Sequence, residues 1–288
     1  MPKSVLLCPP TYFDVIDMKN PYMLGDCPVD QVKAREQWEN LRAALESAGV
    51  KVKTIAPVPG LEDMVFAANQ VFVGHHEKIG RFIVPSRMRH ASRQQEVAAY
   101  VEWFRKHGYK IIKIDLGDEY LEGGGDLIWH PGAARVPSSA KVPSSPRRIY
   151  AGYGFRTTLG GIQRFAKAMQ RLGIQVVPLE LSDPCFYHLD TCFCPLNHEA
   201  ILIYRGAFAE ASLAVLELYW HRLHEIAESE ALGFIANGIV AGNTYLTPRV
   251  TPNLRKILER ENLMPVIVDT SEFEKSGGSC YCMKNFLE

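Results

Sequence analysis

The sequence predicts an α/β fold in a single domain, and three observations predict it. An amphipathic helical stretch, a Gly or polar break and a short Val- and Ile-rich strand recur in that order along the chain. The 288 residues are 47% hydrophobic and 22% charged, enough apolar side chain for a sizeable core. Helix and strand patterns of the same kind continue on both sides of the one Pro- and Ser-rich stretch, so residues 1–288 read as one unit.

Taken in order, residues 30–48 read as a helix ahead of a strand at 50–55 (VKVKTI), and residues 92–107 as a helix ahead of 109–114 (YKIIKI). Residues 158–172 precede IQVVPL at 174–179, residues 207–227 precede GFIANGIV at 233–240, and residues 252–262 precede MPVIVD at 264–269. Further strands are expected at 64–74 (MVFAANQVFVG), 81–85 and 200–206. A unit of about 50 to 65 residues cannot bury its own face, which suits an array closed on itself. Periodicity alone ranks the open sheet first, as the commoner architecture. Residues 131–147 (PGAARVPSSAKVPSSPR) lack an apolar period and read as an inserted surface loop. Residues 12–27, with Asn20 and Gly25, are a candidate lid.

Charge argues against two partner classes. Lys+Arg and Asp+Glu are equal at 32 each, so no basic field exists to hold nucleic acid or an anionic membrane. The apolar run Val5 to Cys8 ends in two prolines, too short for a signal core or a membrane span, and the expected location is the cytoplasm. Seven cysteines is an odd number at spacings unlike a disulfide framework, so at least one thiol is free.

Four segments carry candidate chemistry, and each has a bland reading beside it. At the C-terminus, Gly277, Gly278 and Ser279 form a flexible turn before Cys280, Tyr281 and Cys282; a thiol beside such a turn can face a pocket, or two cysteines simply sit in a terminal strand. In YHLDTCFCPL, His188 and Asp190 are two apart and share a face if the segment is a strand. Such a histidine can take and return a thiol's proton near neutral pH, or be a core residue satisfied by its neighbour. Three glycines between Glu122 and Asp126 make a loop without side chains. Phosphate binding there fails on context, because no Lys and no helix pattern follow. Asp63 and Asn69 are six apart around an apolar strand, again on one face. A separate, non-enzymatic reading is a metal site built from Cys185, His188, Cys192 and Cys194.

In this order the four segments resemble the guanidino-modifying superfamily of arginine deiminase, dimethylarginine dimethylaminohydrolase and glycine amidinotransferase. That superfamily runs an acidic pair six apart, an acidic-Gly-Gly-Asp loop, a His-x-Asp segment and a Gly-rich C-terminus ending in the catalytic Cys. CPPTYFDV at 8–15, KNPYM at 19–23, MRHASRQQE at 88–96 and GYGFRT at 152–157 resemble its bacterial branch, so the resemblance covers nearly the whole chain. It implies a five-bladed α/β propeller of ββαβ units around a polar channel, which displaces the open sheet.

The resemblance further implies Cys282 as nucleophile, His188 as acid and base, and Glu122 and Asp190 as partners of a guanidinium, with no metal and no cofactor. Asp126, of the same loop as Glu122, is a further candidate for binding the substrate. Asn20, Asp63, Arg89 and Arg156 become candidates for the α-amino and α-carboxylate groups of a small guanidino substrate; Cys280 stays structural. Position 69 is Asn where deiminases and dimethylaminohydrolases carry Asp, and the acidic loop has an extra Gly. With KNPYM, this Asn resembles the arginine dihydrolases, which convert arginine to ornithine, two ammonia and one carbon dioxide. The alternatives are a dimethylarginine dimethylaminohydrolase or an arginine deiminase giving citrulline, amidine transfer to an acceptor amine, and a binding relative without turnover. A homo-oligomer stays open.

Overall fold

The computed structural model describes residues 3–23, 28–134 and 147–287, and within them the strands form five three-stranded sheets. Each sheet has an antiparallel pair, then a helix, then a third strand parallel to the second, which is the ββαβ unit of a propeller blade.

The chain starts in the middle of one blade. Strand β1 (Ser4–Leu7) leads through helix α1 (Gln31–Ser47) to its parallel neighbour β2 (Lys51–Thr54). Asp30 caps α1 by accepting from the amides of Val32 and Lys33, and Ala34, Trp38, Leu41 and Leu45 form its buried stripe at helical spacing. The second blade is β3 (Val71–His76), β4 (Gly80–Pro85), α2 (Ala91–Lys106) and β5 (Lys110–Ile111). A single turn, α3 (Gly123–Asp126), opens the third, followed by β6 (Leu127–Trp129), β7 (Arg147–Tyr153), α4 (Leu159–Gln170) and β8 (Ile174–Glu180). The fourth is β9 (Phe193–Pro195), β10 (Ala200–Ile203), α5 (Glu210–Tyr219) and β11 (Arg222–Glu225).

The fifth begins with α6 (Glu228–Leu232) and runs through β12 (Ile239–Ala241), β13 (Thr244–Thr247), α7 (Pro252–Arg260) and β14 (Met264–Ile267). Thr251 caps α7 and Pro252 starts it, where a missing N–H costs nothing. Helix α8 (Ser271–Glu274) then leads to β15 (Lys284–Phe286), which pairs antiparallel with β1, Val5 opposite Phe286, and so the two chain ends share one sheet and close the ring. Apolar clusters fill the spaces between blades; one joins Tyr150 of β7, Phe193 of β9 and Trp220 after α5.

Several sequence expectations need correction. The helix expected at 207–227 spans only Glu210–Tyr219, and β11 (Arg222–Glu225) follows it within that range. Of 233–240, only the end enters β12; Phe234 has a positive φ of 58°, and the Tyr245 hydroxyl, 2.7 Å from the Ile235 carbonyl, pins a loop there. Residues 62–65 form a 3-10 turn and the strand starts at Val71, while 184–186 and 189–191 are also 3-10 turns. Short apolar runs carry too little period to separate such turns from strands. The expected insertion at 131–147 joins β6 to β7; residues 131–134 form a 3-10 turn, and 135–146 lie outside the described residues, as does Gly25 of the candidate lid. Among the described residues no helix is long and apolar enough to cross a membrane.

Candidate active site

The segment entering the first strand of every blade carries a buried polar residue: Asn69 before β3, Glu122 and Asp126 before β6, His188 and Asp190 before β9, Asn237 before β12, and Cys282 before β15. Fivefold repetition thus turns segments far apart in sequence into one cluster. A cavity of about 20 Å³, near the size of one water molecule, is lined by Asn69, His188 and Cys282 together with Lys19, Asn20, Asp63, Arg93, Arg156, Tyr187 and Ser276.

Cys282 is 4% exposed. Its Sγ donates to Asp190 Oδ2 at 3.2 Å and accepts from Asn237 Nδ2 at 3.2 Å. The same amide donates to the Asp190 carbonyl at 2.9 Å, and its Oδ1 accepts from the Cys282 N–H at 3.3 Å, so Asn237 fixes both thiol and carboxylate. Burial pushes the Cys282 thiol well above its ordinary value and the Asp190 charge adds to this. Burial likewise pushes Asp190 up to about 7, against its contacts with Cys282 and Lys284. Asp190 Oδ1 is buried with no partner among the described residues, an acceptor open to a cation.

His188 stands between this pair and Glu122. Its Nε2 lies 2.7 Å from Glu122 Oε2, which Arg156 also reaches at 3.2 Å. Burial acts to raise Glu122, but Arg156 and then His188 outweigh it and hold the carboxylate well below its usual range. Burial drives His188 down to about 4 in spite of Glu122, so the ring is neutral at pH 7. A charged Glu122 requires the hydrogen on Nε2, which leaves Nδ1 as the basic nitrogen.

Asn69 packs over the glycine turn. A Cβ on Gly125 would lie 2.2 Å from Asn69 Nδ2, and Gly123, at φ +48°, sits against the Asn69 carbonyl; the glycines make room for this amide. Asn69 Oδ1 accepts from Arg93 Nη1 at 3.2 Å, while Nδ2 is buried without a partner among the described residues. Arg93 is itself clamped by Glu96 through two contacts of 3.1 Å. Over the cavity, Lys19 pairs with Asp63 and Glu62 at 3.0 Å each, and Asn20 donates to the Ser276 carbonyl at 2.9 Å. The described part of the candidate lid therefore lies on the site. Gly277, at φ +81°, lets the C-terminal turn approach Tyr187 and Asn20, where any Cβ would collide.

Nine of the ten candidate residues meet here, though two in unexpected roles. Asp126 has both oxygens taken, by Thr157 at 2.6 Å and the Leu189 amide at 3.0 Å, so it supports the His188 turn and does not line the cavity. Glu122 likewise has its oxygens engaged by His188, Arg156 and the Arg89 amide, so it faces the histidine. Arg89 is the exception: its side chain is exposed and stacks at 5.6 Å on Tyr120, and only its backbone N–H reaches Glu122. Arg93, four residues on, takes the inward place; the buried stripe Arg93, Glu96, Val97, Tyr100 and Phe104 of α2 was the available signal. Asn237 was also missed, although the fivefold repeat of a polar residue ahead of each first strand points to it.

The metal reading fails on geometry. Among the described residues no group of three or more His, Cys, Asp and Glu side chains can hold a metal ion. His188 faces Glu122, Cys192 Sγ turns to the Leu189 carbonyl and Cys194 Sγ to the Gly238 carbonyl. The six described cysteines are free thiols, and Cys280 is buried as a structural residue would be.

Comparison with known proteins gives the family and the fold. The N-terminal domain of ArgZ, an arginine dihydrolase from cyanobacteria solved with bound substrate, superposes with a TM-score of 0.88 at 30% identity, covering 99% of this chain and 97% of that one. The bifunctional arginine dihydrolase/ornithine cyclodeaminase AgrE of Nostoc is 33% identical over 96% of this chain, which spans 37% of that longer protein. The dimethylarginine dimethylaminohydrolase of Mycobacterium tuberculosis is 33% identical over 96% of this chain and 83% of its own length. A family model for N,N dimethylarginine dimethylhydrolase of the eukaryotic type matches residues 26–286. The chain belongs to this family of dimethylarginine dimethylaminohydrolases, hydrolases that act on guanidino carbon–nitrogen bonds, and its fold is theirs.

Proposed function

We propose that the protein is an arginine dihydrolase, with Cys282 as nucleophile and ornithine, two ammonia and one carbon dioxide as products. The observation that carries the reading is the Asn69 amide, buried at the cavity wall with Oδ1 on Arg93 and Nδ2 free to donate. A carboxylate at this place could only accept, which suits a guanidinium alone. An amide donor can also meet the carbonyl of a ureido group, so citrulline stays bound for a second attack.

In the first round the Cys282 thiolate adds to the guanidinium carbon, and Asp190 Oδ1 accepts from the guanidinium N–H groups and keeps the carbon in line with sulfur. The thiol proton passes to His188 Nδ1, and His188, held by Glu122, gives it to the departing nitrogen, which leaves as ammonia. The covalent thiouronium that remains is hydrolysed by water that His188 deprotonates. The substrate cation next to Cys282 favours its thiolate, which offsets the burial that keeps the free thiol protonated. Asp63 suits the α-amino group and Arg156 the α-carboxylate. An amino acid the size of arginine exceeds the present cavity, so residues 12–23 must shift to admit it.

The second reading, hydrolysis of dimethylarginine to citrulline, is favoured by the matching family model and the mycobacterial relative. Asn69→Asp separates the two. On the dihydrolase reading the variant accumulates citrulline from arginine, whereas an unchanged ornithine yield removes Asn69 from the explanation. Turnover of dimethylarginine with none of arginine would decide for the second reading.

A further inference from the structure

The first residue of the first strand in the five blades is Val71, Leu127, Phe193, Ile239 and Lys284. All five are buried, and four are apolar. The fifth is a lysine, 1% exposed, two residues beyond Cys282. An ammonium in such a place loses its hydration at a large cost, and natural chains leave one there when it balances another charge. Lys284 makes no ion pair among the described residues; Nζ sits 2.9 Å from the centre of the Tyr281 ring and 3.7 Å from that of Phe286. The charges that reach it come from Asp190, Cys282 and Cys194.

We propose that Lys284 is a positioning residue of the reaction, a buried cation under the site that keeps Asp190 ionised and favours the Cys282 thiolate before substrate arrives. The proposal rests on the reading of Cys282 as nucleophile. Asp190 Oδ2 and Cys282 Sγ are 3.2 Å apart, so with no cation nearby only one of them can ionise. Tyr187, Tyr22, Tyr281 and His188 are the other titratable groups near the thiol; burial holds the three tyrosines neutral and drives His188 down to about 4, so none of the four carries a charge at pH 7. The remaining cation that acts on Asp190, Arg93, is committed to Glu96 and Asn69. Burial holds the Lys284 ammonium well below its ordinary value, and Asp190 and then Cys282 pull it only part of the way back, so the three groups titrate as one unit.

The test is the rate at which iodoacetamide alkylates Cys282 as a function of pH, with Cys282→Ser subtracting the other thiols. Lys284→Met and Lys284→Gln should each raise the thiol midpoint by about one pH unit or more, which is about tenfold slower alkylation below it. Lys284→Arg should restore the midpoint, and kcat should fall in the two neutral variants with KM little changed. A midpoint in either folded neutral variant equal to that of the parent protein overturns the proposal. Activity that survives in Cys282→Ser is a separate outcome, which removes the nucleophile reading itself.

Discussion

Replacing Asn237 by Ala should damage both the stability and the chemistry of the site, by amounts that follow from its contacts. The side chain is fully buried, and its loss strands the Asp190 carbonyl and the Cys282 N–H without their partners. Each stranded buried group costs about 1–3 kcal/mol, so the two together cost about 2–6 kcal/mol. For a chain of this size that lowers Tm by about 5–15 °C. The thiolate also loses the donor 3.2 Å from Sγ, a charge-assisted bond whose removal should lower kcat about 10- to 100-fold. Asn237→Asp is the informative companion. It keeps the acceptor for the Cys282 N–H but sets a carboxylate against sulfur, so it should lose less Tm than Ala and more activity. Thermal unfolding and steady-state kinetics measure the pair. If Asn237→Ala keeps Tm within about 1 °C and kcat within about twofold, the role given to Asn237 is wrong.

Three further outcomes follow. Arg93→Ala should abolish turnover, because it releases Asn69 and strands Glu96, whereas Arg89→Ala should leave kcat/KM within about twofold; equal losses in the two would contradict the placement of these arginines. Gly125→Ala drives a Cβ into Asn69 Nδ2 and should cut kcat/KM about 100-fold while the Cys282 alkylation rate stays that of the parent; full activity would show that the amide has another place to go. The folded state holds His188 at about 4 against an ordinary value of 6.5, so it binds fewer protons than the unfolded chain between those values. The His188 share of stability is complete above about pH 6.5 and is lost as pH falls toward 4, on the order of 3 kcal/mol. Urea unfolding of His188→Gln should therefore show a flatter slope in that window than the parent, and an identical slope would refute the sign. His130, which burial also lowers to about 4, is present in both proteins and cancels.

Helices α1, α2, α4 and α7 were legible in the sequence because each carries a buried stripe, and three have side-chain caps at Asp30, Thr158 and Thr251. The short strands were less so. β5 has two residues and β12 three, and at that length pairing is decided by neighbours in the ring, not by period. Two pairs of residues meet at the site by a route other than the expected one. Asp63 and Asn69 were placed on one face of a strand, and so were His188 and Asp190, yet Asp63 and Asp190 lie in 3-10 turns and reach the site through the loops ahead of β3 and β9. The two arginines of MRHASRQQE differ only in which side of α2 they meet, a matter the helical stripe could settle and the motif could not. Asn237 has no motif at all, and only the fivefold placement ahead of each first strand singles it out.

The central claim is that one cysteine performs two rounds of hydrolysis on arginine. Incubation with arginine followed by quantification of ornithine, citrulline and ammonia, with Cys282→Ser in parallel, tests it most directly. Two ammonia for each ornithine, little free citrulline and no product from the variant are the expected result. One ammonia for each citrulline, or ornithine from Cys282→Ser, would contradict it.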